Sequence, residues 1–213
     1  MSRSRSRDAC VYHRLMQECP DVTAFILAGG KSTRMGADKA FLEFDGRTLL
    51  ARVLDLAHSV TADVRIVGSQ EKFAAYAPVV EDLFRDCGPL GGIQAALRAS
   101  QTKFNLILAV DMPFLSREFL QYLISQARNA PEAVVVVPLA DGRRQPLCAV
   151  YRLEFAPVAE SALRAGQYRI NRLFDQVRTW AIGPDELAGA NFSPDIFRNL
   201  NTPEDVEAQK LGA

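Results

Sequence analysis

Histidine is scarce in this chain: His13 and His58 are the two that occur among 213 residues. A Ser-His-Asp site needs a histidine that reaches the nucleophile, but His13 lies in an N-terminal tail and His58 on a segment with helical spacing. Zinc sites also commonly use histidine ligands. We therefore expect neither serine-hydrolase chemistry nor a histidine-based zinc site.

An excess of charge is missing as well, since 25 Lys and Arg residues balance 25 Asp and Glu residues. A general binder of nucleic acid or of a membrane surface normally carries a basic excess, so neither partner is expected. Long apolar runs are also missing, because none reaches the roughly 18 residues that a membrane-spanning helix requires. A small anionic ligand held by a few local cations remains compatible with this composition.

Cysteine pairing motifs are absent too, because Cys10, Cys19, Cys87 and Cys148 form no CxxC pair. We interpret them as reduced thiols of a cytoplasmic protein. The N-terminus lacks the apolar core of a secretory signal. Its Ser-Arg alternation is typical of a disordered lead, and we assign residues 1–20 to such an extension.

Short apolar runs alternate with helical patterns from Val22 onward. "EAVVVVP" has no polar alternation and predicts a strand covered on both faces. "SREFLQYLISQAR" starts with a Ser N-cap and predicts a helix. The alternation predicts one α/β domain over residues 21–213, a three-layer α/β/α sandwich with a mostly parallel, Rossmann-like sheet. Ligands of such folds bind at the carboxyl ends of the strands.

The glycine-rich stretch "FILAGGKSTRMGADKA" stands at the end of the first predicted strand. Gly29 and Gly30 allow the backbone to turn sharply and to approach a ligand, and successive N–H groups there could bind an anion. Arg34 and Lys39 supply cations suited to phosphate. The spacing fits neither the P-loop nor the dinucleotide fingerprint. Phosphate binding and an ordinary loop with solvated charges are both open at this point.

Carboxylates and glycines follow other predicted strands. Asp111, in "LILAVDMPFL", is placed to hold Mg²⁺, which prefers oxygen ligands, or else to cap the next element. Asp82, in "VVEDL", belongs either to a site or to a solvated acidic loop. Gly91 and Gly92 could bring backbone N–H groups to a ligand or could simply permit close packing.

Six blocks carry a resemblance to a known family: "LAGGKSTRMGADKA", "VVEDL", "GPLGGIQAAL", "AVDMPFL", "RRQPLCAVY" and "NLNTPED", in that order. Together they resemble the molybdenum cofactor guanylyltransferases of the nucleotidyltransferase superfamily, over about Thr23 to Gln209. The resemblance implies transfer of GMP from GTP to the terminal phosphate of molybdopterin, with or without molybdenum, and release of pyrophosphate. The implied partners are these two substrates, other proteins of cofactor biosynthesis and acceptor molybdoenzymes.

The resemblance also implies roles for individual residues. The implied catalytic residues are Arg34, Lys39 and Asp111, with Asp111 as the Mg²⁺ ligand. The implied nucleotide contacts are Leu27, Ala28, Gly29, Lys39, Asp82 and Asp111. The implied molybdopterin contacts are Arg34, Asn199 and Asn201, with weaker support for Arg143, Arg144, Gln145, Tyr168 and Arg169.

One departure and two rival functions accompany the resemblance. Similar enzymes can place a nucleotide-contacting asparagine after the second strand, where this chain has Gly68. The related cytidylyltransferases tend to have "LAAG" where this chain has "LAGG", so Gly29 favours guanine over cytosine. A protein that binds nucleotide or pterin without catalysis is the other alternative, and the presence of Lys39 and Asp111 argues against it.

Overall fold

The structure, a computed structural model, describes residues 20–29, 38–84, 86–200, 202, 204–205 and 207. The proposed N-terminal extension over residues 1–20 lies outside the described residues except for Pro20. Arg34 and Asn201 lie outside them as well.

The described strands are β1 Val22–Leu27, β2 Glu43–Phe44, β3 Arg47–Thr48, β4 Asp63–Val67, β5 Val79–Val80, β6 Phe104–Ala109, β7 Val135–Ala140, β8 Arg143–Arg144, β9 Cys148–Tyr151 and β10 Thr179–Ile182. The main sheet has the order β10-β7-β9-β6-β1-β4-β5, with β8 paired to β7, while β2 and β3 form a separate hairpin. Along this path every strand but β9 runs in the same direction. The predicted mostly parallel sheet is confirmed.

β9 is antiparallel to both of its neighbours, β6 and β7. The reason is the short connection, because β7 ends at Ala140 and β9 begins at Cys148. A parallel crossover needs a dozen or more residues, whereas a hairpin-like return needs only a few.

The described α-helices are α1 Leu49–His58, α2 Gln70–Phe73, α3 Pro89–Ala99, α4 Arg117–Asn129, α5 Phe155–Arg164, α6 Ile170–Leu173 and α7 Pro184–Gly189. The predicted Ser116 cap is present, since its side chain accepts a hydrogen bond from Phe119 N at 3.2 Å. Thr48 caps α1 in the same way.

Helices cover both faces of the sheet, as predicted. Alternate residues of a strand point to opposite faces, so Ala24 and Ile26 join one apolar cluster while Phe25 joins the other. Buried side chains of α1 and α4 belong to the first cluster, and those of α3 and α5 to the second. The result is a three-layer α/β/α architecture in which the carboxyl ends of the parallel strands lie on one edge of the sheet.

Asp63 joins β1 to β4 through polar contacts. Its carboxylate accepts hydrogen bonds from Arg65 Nε at 2.8 Å and from Thr23 Oγ1 at 2.9 Å. The pKa of Asp63 is lowered from 3.8, chiefly by the hydrogen bonds from Arg65, with burial opposing the shift and Thr23 assisting it.

We expect Asp63→Asn to lower the free energy of unfolding near neutral pH, because it removes a carboxylate whose native pKa is depressed. The contribution of such a group is complete above its unfolded-state pKa and is lost as the pH falls through its native pKa. The difference between the two proteins should therefore shrink below about pH 4. Urea unfolding at several pH values measures it, and parallel pH profiles would contradict the assignment.

Candidate active site

A cleft of about 1150 Å³ opens at the carboxyl ends of β1, β4, β5 and β6. Each of these strands contributes the residues that follow it, namely Ala28 and Gly29, Gly68 and Ser69, Glu81 and Asp82, and Val110 and Asp111. The cleft therefore lies where the parallel sheet was expected to bind its ligand. Of the sequence-predicted site, it brings together Leu27, Ala28, Gly29, Lys39, Asp82 and Asp111.

Lys39 and Asp111 face each other across this cleft. Lys39 Nζ lies 3.4 Å from Asp111 Oδ2, and the two side chains retain exposed fractions of 28% and 17%. Lys39 begins a 3₁₀ turn, Lys39–Phe41, whereas Asp111 follows the buried strand β6. The fold thus brings an ammonium group and a carboxylate together although 72 positions separate the two residues in sequence.

The end of β1 is held by backbone hydrogen bonds. The N–H groups of Ala28 and Gly29 both donate to Val67 O, each at 3.1 Å. These two N–H groups are therefore engaged within the protein, and an anion-binding concavity in this loop would have to be formed by the N–H groups that follow Gly29. The rest of the glycine-rich loop, residues 30–37, lies outside the described residues.

Asp82 rests against the beginning of α3. Its Oδ1 accepts a hydrogen bond from Phe84 N at 2.8 Å. A Cβ added to Gly91 would lie 2.6 Å from Asp82 Oδ2 and 2.8 Å from Phe84 O. Both distances are shorter than the contacts that Cβ atoms make in proteins. Gly91 is therefore required for close approach, and the position of the Asp82 carboxylate depends on it.

Gly68 also permits a close approach, in this case to an aromatic ring. A Cβ at this position would lie 2.9 Å from Phe73 Cε2, and Phe73 is buried. The asparagine that similar enzymes can carry here would require Phe73 to move. The glycine at position 68 is therefore explained by the close packing of Phe73 against it.

The C-terminal block reaches the same edge of the sheet. Leu200 N donates to Asp111 O at 2.9 Å, and Leu200 is buried. Asn199 precedes it and is exposed. The structure thus brings one predicted pterin contact near Asp111, while Asn201 and Arg34 lie outside the described residues.

The weaker candidates have other contacts. Arg144 donates to Asp175 Oδ1 at 3.1 Å and to Asn171 O, and its guanidinium lies 5.5 Å from the centre of the Phe174 ring. These contacts explain Arg144 without a ligand. Tyr168 is exposed, and a hydrogen bond with the Cys87 side chain raises the pKa of its hydroxyl.

Carboxylates outnumber ammonium groups among the charged side chains in the described lining of the cleft. Six carboxylates, those of Asp38, Glu71, Glu81, Asp82, Asp86 and Asp111, line it together with the ammonium groups of Lys39 and Lys72. A triphosphate would be repelled by such a lining unless cations joined it. Within the described ranges no group of three or more His, Cys, Asp and Glu residues is arranged to hold a metal. The lining nevertheless suits Mg²⁺, which is often held by one or two carboxylates together with substrate phosphates.

Several residues of the cleft were not predicted from the sequence, and Asp38, Lys72 and Phe73 are examples. Asp38 directly precedes Lys39 and could have been suspected from that neighbourhood. Lys72 and Phe73 lie on the four-residue helix α2, where no sequence pattern links them to the glycine-rich loop.

Among the described residues, no helix has the length and apolar character needed to cross a bilayer.

Comparison with known proteins identifies the family of this chain. Residues 24–180 match the family described as MobA-like NTP transferase domain. The chain belongs to this family and is a nucleotidyltransferase.

Relatives cover most of the chain. A probable molybdenum cofactor guanylyltransferase from Flavobacterium johnsoniae is 34% identical over 187 residues, covering 87% of this chain and 94% of the relative. A molybdenum cofactor guanylyltransferase from Desulfosudis oleivorans is 36% identical over 191 residues, covering 87% and 93%.

Solved structures agree on the fold. Molybdopterin-guanine dinucleotide biosynthesis protein A from Archaeoglobus fulgidus superimposes with a TM-score of 0.75 at 26% identity, covering 87% of this chain and 95% of that one. A CMP-2-keto-3-deoxy-manno-octonic acid synthetase complexed with CTP, at 12% identity and a TM-score of 0.67, shares the fold.

We expect Gly91→Ala to weaken nucleotide binding about tenfold, because the new methyl group displaces a carboxylate that lines the cleft. Gly189→Ala is the matched control, since a Cβ there meets nothing within 4 Å and lies in a helix. Calorimetric titration with GTP and Mg²⁺ measures both affinities. Unchanged affinity in a folded Gly91→Ala protein would show that the Asp82 position does not matter for binding.

Proposed function

We propose that this chain transfers GMP from GTP to the terminal phosphate of molybdopterin in molybdenum cofactor biosynthesis, giving molybdopterin guanine dinucleotide and pyrophosphate. The names of its relatives support the substrates. The observation that carries the proposal is the approach of Lys39 Nζ to within 3.4 Å of Asp111 Oδ2, inside a cleft at the carboxyl ends of four parallel strands.

The proposed reaction joins two anions. An oxygen of the terminal phosphate of molybdopterin forms a bond to the α-phosphorus of GTP, and the bond from that phosphorus to the bridging oxygen of the β-phosphate breaks. The electron pair of the broken bond leaves with pyrophosphate. Because the attacking group is already anionic, the protein needs mainly to position the reactants and to offset their charge.

Lys39 would offset phosphate charge in our proposal. Its ammonium group would bind phosphate oxygens as the negative charge develops, which requires that it leave Asp111 for the nucleotide. Arg34 would assist on the side of the incoming phosphate, and Asn199 and Asn201 would hold the pterin. These roles rest on the resemblance, with Asn199 supported by its place beside Leu200.

Asp111 would hold Mg²⁺, with substrate phosphates completing the ligand set, and the bound ion would offset phosphate charge. The acid-rich lining supports a requirement for such a cation. In the same proposal Asp82 would contact the base or sugar, and the backbone of Leu27, Ala28 and Gly29 would contact the base. Guanine presents two neighbouring donors, N1–H and the N2 amino group, to backbone carbonyl oxygens, whereas cytosine presents one amino donor beside two acceptors.

We expect Asp111→Asn and Lys39→Met each to lower the turnover number by about 10²-fold or more, because each removes a charge that acts on the phosphates. Asp55→Asn is the matched control. Asp55 lies on α1, and the substitution removes an exposed carboxylate that pairs with Arg47. Pyrophosphate release at saturating Mg²⁺ measures the effect. Normal turnover in either folded site variant would overturn the role of that residue.

The nucleotide is tested by pyrophosphate release from GTP, CTP and ATP, each with and without molybdopterin. We expect release from GTP, dependent on the pterin. Release from CTP in preference to GTP would favour the cytidylyltransferase alternative. Tight GTP binding with no release from any nucleotide would favour a non-catalytic binding protein.

The variant Gly29→Ala tests whether Gly29 contributes to the choice between GTP and CTP. A Cβ at Gly29 would lie 3.5 Å from Gly68 Cα and 3.6 Å from Val67 O, both ordinary contacts, so the variant should fold. If Gly29 helps to select guanine, the variant should show a lower ratio of pyrophosphate release from GTP to release from CTP. An unchanged ratio would show that the discrimination lies elsewhere.

A further inference from the structure

Lys39 is carried by a turn rather than by a strand end, so something must hold that turn against the sheet. The turn Lys39–Phe41 begins at Asp38, whose Oδ1 accepts a hydrogen bond from Ala40 N at 3.2 Å. Ala40 is fully buried, which anchors the middle of the turn. Asp38 is thus the cap of the element that presents the lysine.

The second oxygen of the same carboxylate has a different partner. Lys72 Nζ lies 3.1 Å from Asp38 Oδ2, with exposed side-chain fractions of 54% for Lys72 and 27% for Asp38. Lys72 is on α2, which follows β4. The ion pair therefore connects the Lys39 turn to a neighbouring wall of the cleft.

An aromatic contact makes a second connection between these elements. Phe41, at the end of the turn, stacks on Phe73 of α2 with ring centres 6.0 Å apart and planes inclined by 23°. Tyr76 lies beside Phe41 at 5.9 Å. Phe73 in turn packs closely on Gly68 at the end of β4. The turn is therefore held at both of its ends by the α2 segment.

We propose that Asp38 and Lys72 are positioning residues for nucleotidyl transfer, which hold the turn Lys39–Phe41 in place so that Lys39 faces the cleft. This proposal rests on the proposed function for its kinetic consequence. Because the Asp38–Lys72 pair is partly exposed, it should add little to global stability. Its effect should appear in the placement of Lys39, where a small displacement can reduce a rate strongly.

The test is Lys72→Met, with Lys103→Met as the control because Lys103 is exposed and lies outside the cleft. We expect Lys72→Met to lower kcat about tenfold while KM for GTP stays within about twofold. Lys72→Arg should restore kcat because it can re-form the ion pair. A rise in KM with normal kcat would overturn the proposal and make Lys72 a direct nucleotide contact.

A double-mutant cycle separates positioning from an independent role. Asp38→Asn keeps an oxygen that can cap the turn but removes the charge that Lys72 binds. If the two residues act through their contact, the double variant should have the kcat of the slower single variant. Multiplicative losses of kcat would overturn the proposal. Asp38→Asn also provides a second variant if Lys72→Met fails to fold.

A measurement without nucleotide keeps this proposal distinct from the proposed function. The rate at which an acylating reagent modifies Lys39, followed by mass spectrometry, reports how firmly that side chain is held. We expect faster modification in Lys72→Met and Asp38→Asn than in wild type or Lys103→Met. This result would stand even if GTP were the wrong substrate, whereas unchanged modification in both variants would overturn the positioning role.

Discussion

The parallel pairing of β1 with β4 and β6 is the constraint on which the rest of this molecule depends. Leu27 is in register with Val67 on one side and with Ala109 on the other. Three strands therefore end together, and the residues that follow them must leave the sheet at the same edge. Because helices cover both faces of these strands, a shift of register would exchange side chains between the two apolar clusters and disturb the packing of both. The absence of a side chain at Gly68 then leaves room for the Phe73 ring beside this edge.

The charges of the cleft follow from that convergence. Carboxylates placed after β5 and β6, together with those of neighbouring loops, make the described lining strongly acidic. This lining is a poor receptor for a triphosphate alone and a better one for a triphosphate accompanied by cations. The Lys39–Asp111 contact satisfies both groups within the protein. In the proposed reaction both would exchange this contact for the substrate, so the pair holds the two groups close to where they are needed.

Much of this arrangement could be predicted from the sequence because it depends on periodicity and chain order. Unbroken apolar runs such as that of β7 identify buried strands, and the strand-end rule selects Gly29, Asp82 and Asp111 without any coordinates. The antiparallel course of β9 was harder to foresee, because it depends on the length of a connection rather than on the pattern within the strand. Arg144 illustrates a different limit: its charge suggested a ligand, whereas its contacts with Asp175 and Phe174 are tertiary and have no signature in sequence.

The residues of the site are held in place in two different ways. Asp111 and Asp82 follow strands directly, so the sheet fixes them and general rules find them. Lys39 lies on a short turn outside the sheet, and its place depends on side-chain contacts with α2, a helix too short to be stable by itself. Contacts of that kind join residues that no sequence pattern links, namely Lys72 with Asp38 and Phe73 with both Phe41 and Gly68. A family motif can therefore identify the lysine, but the structure of this chain is needed to show what holds it in place.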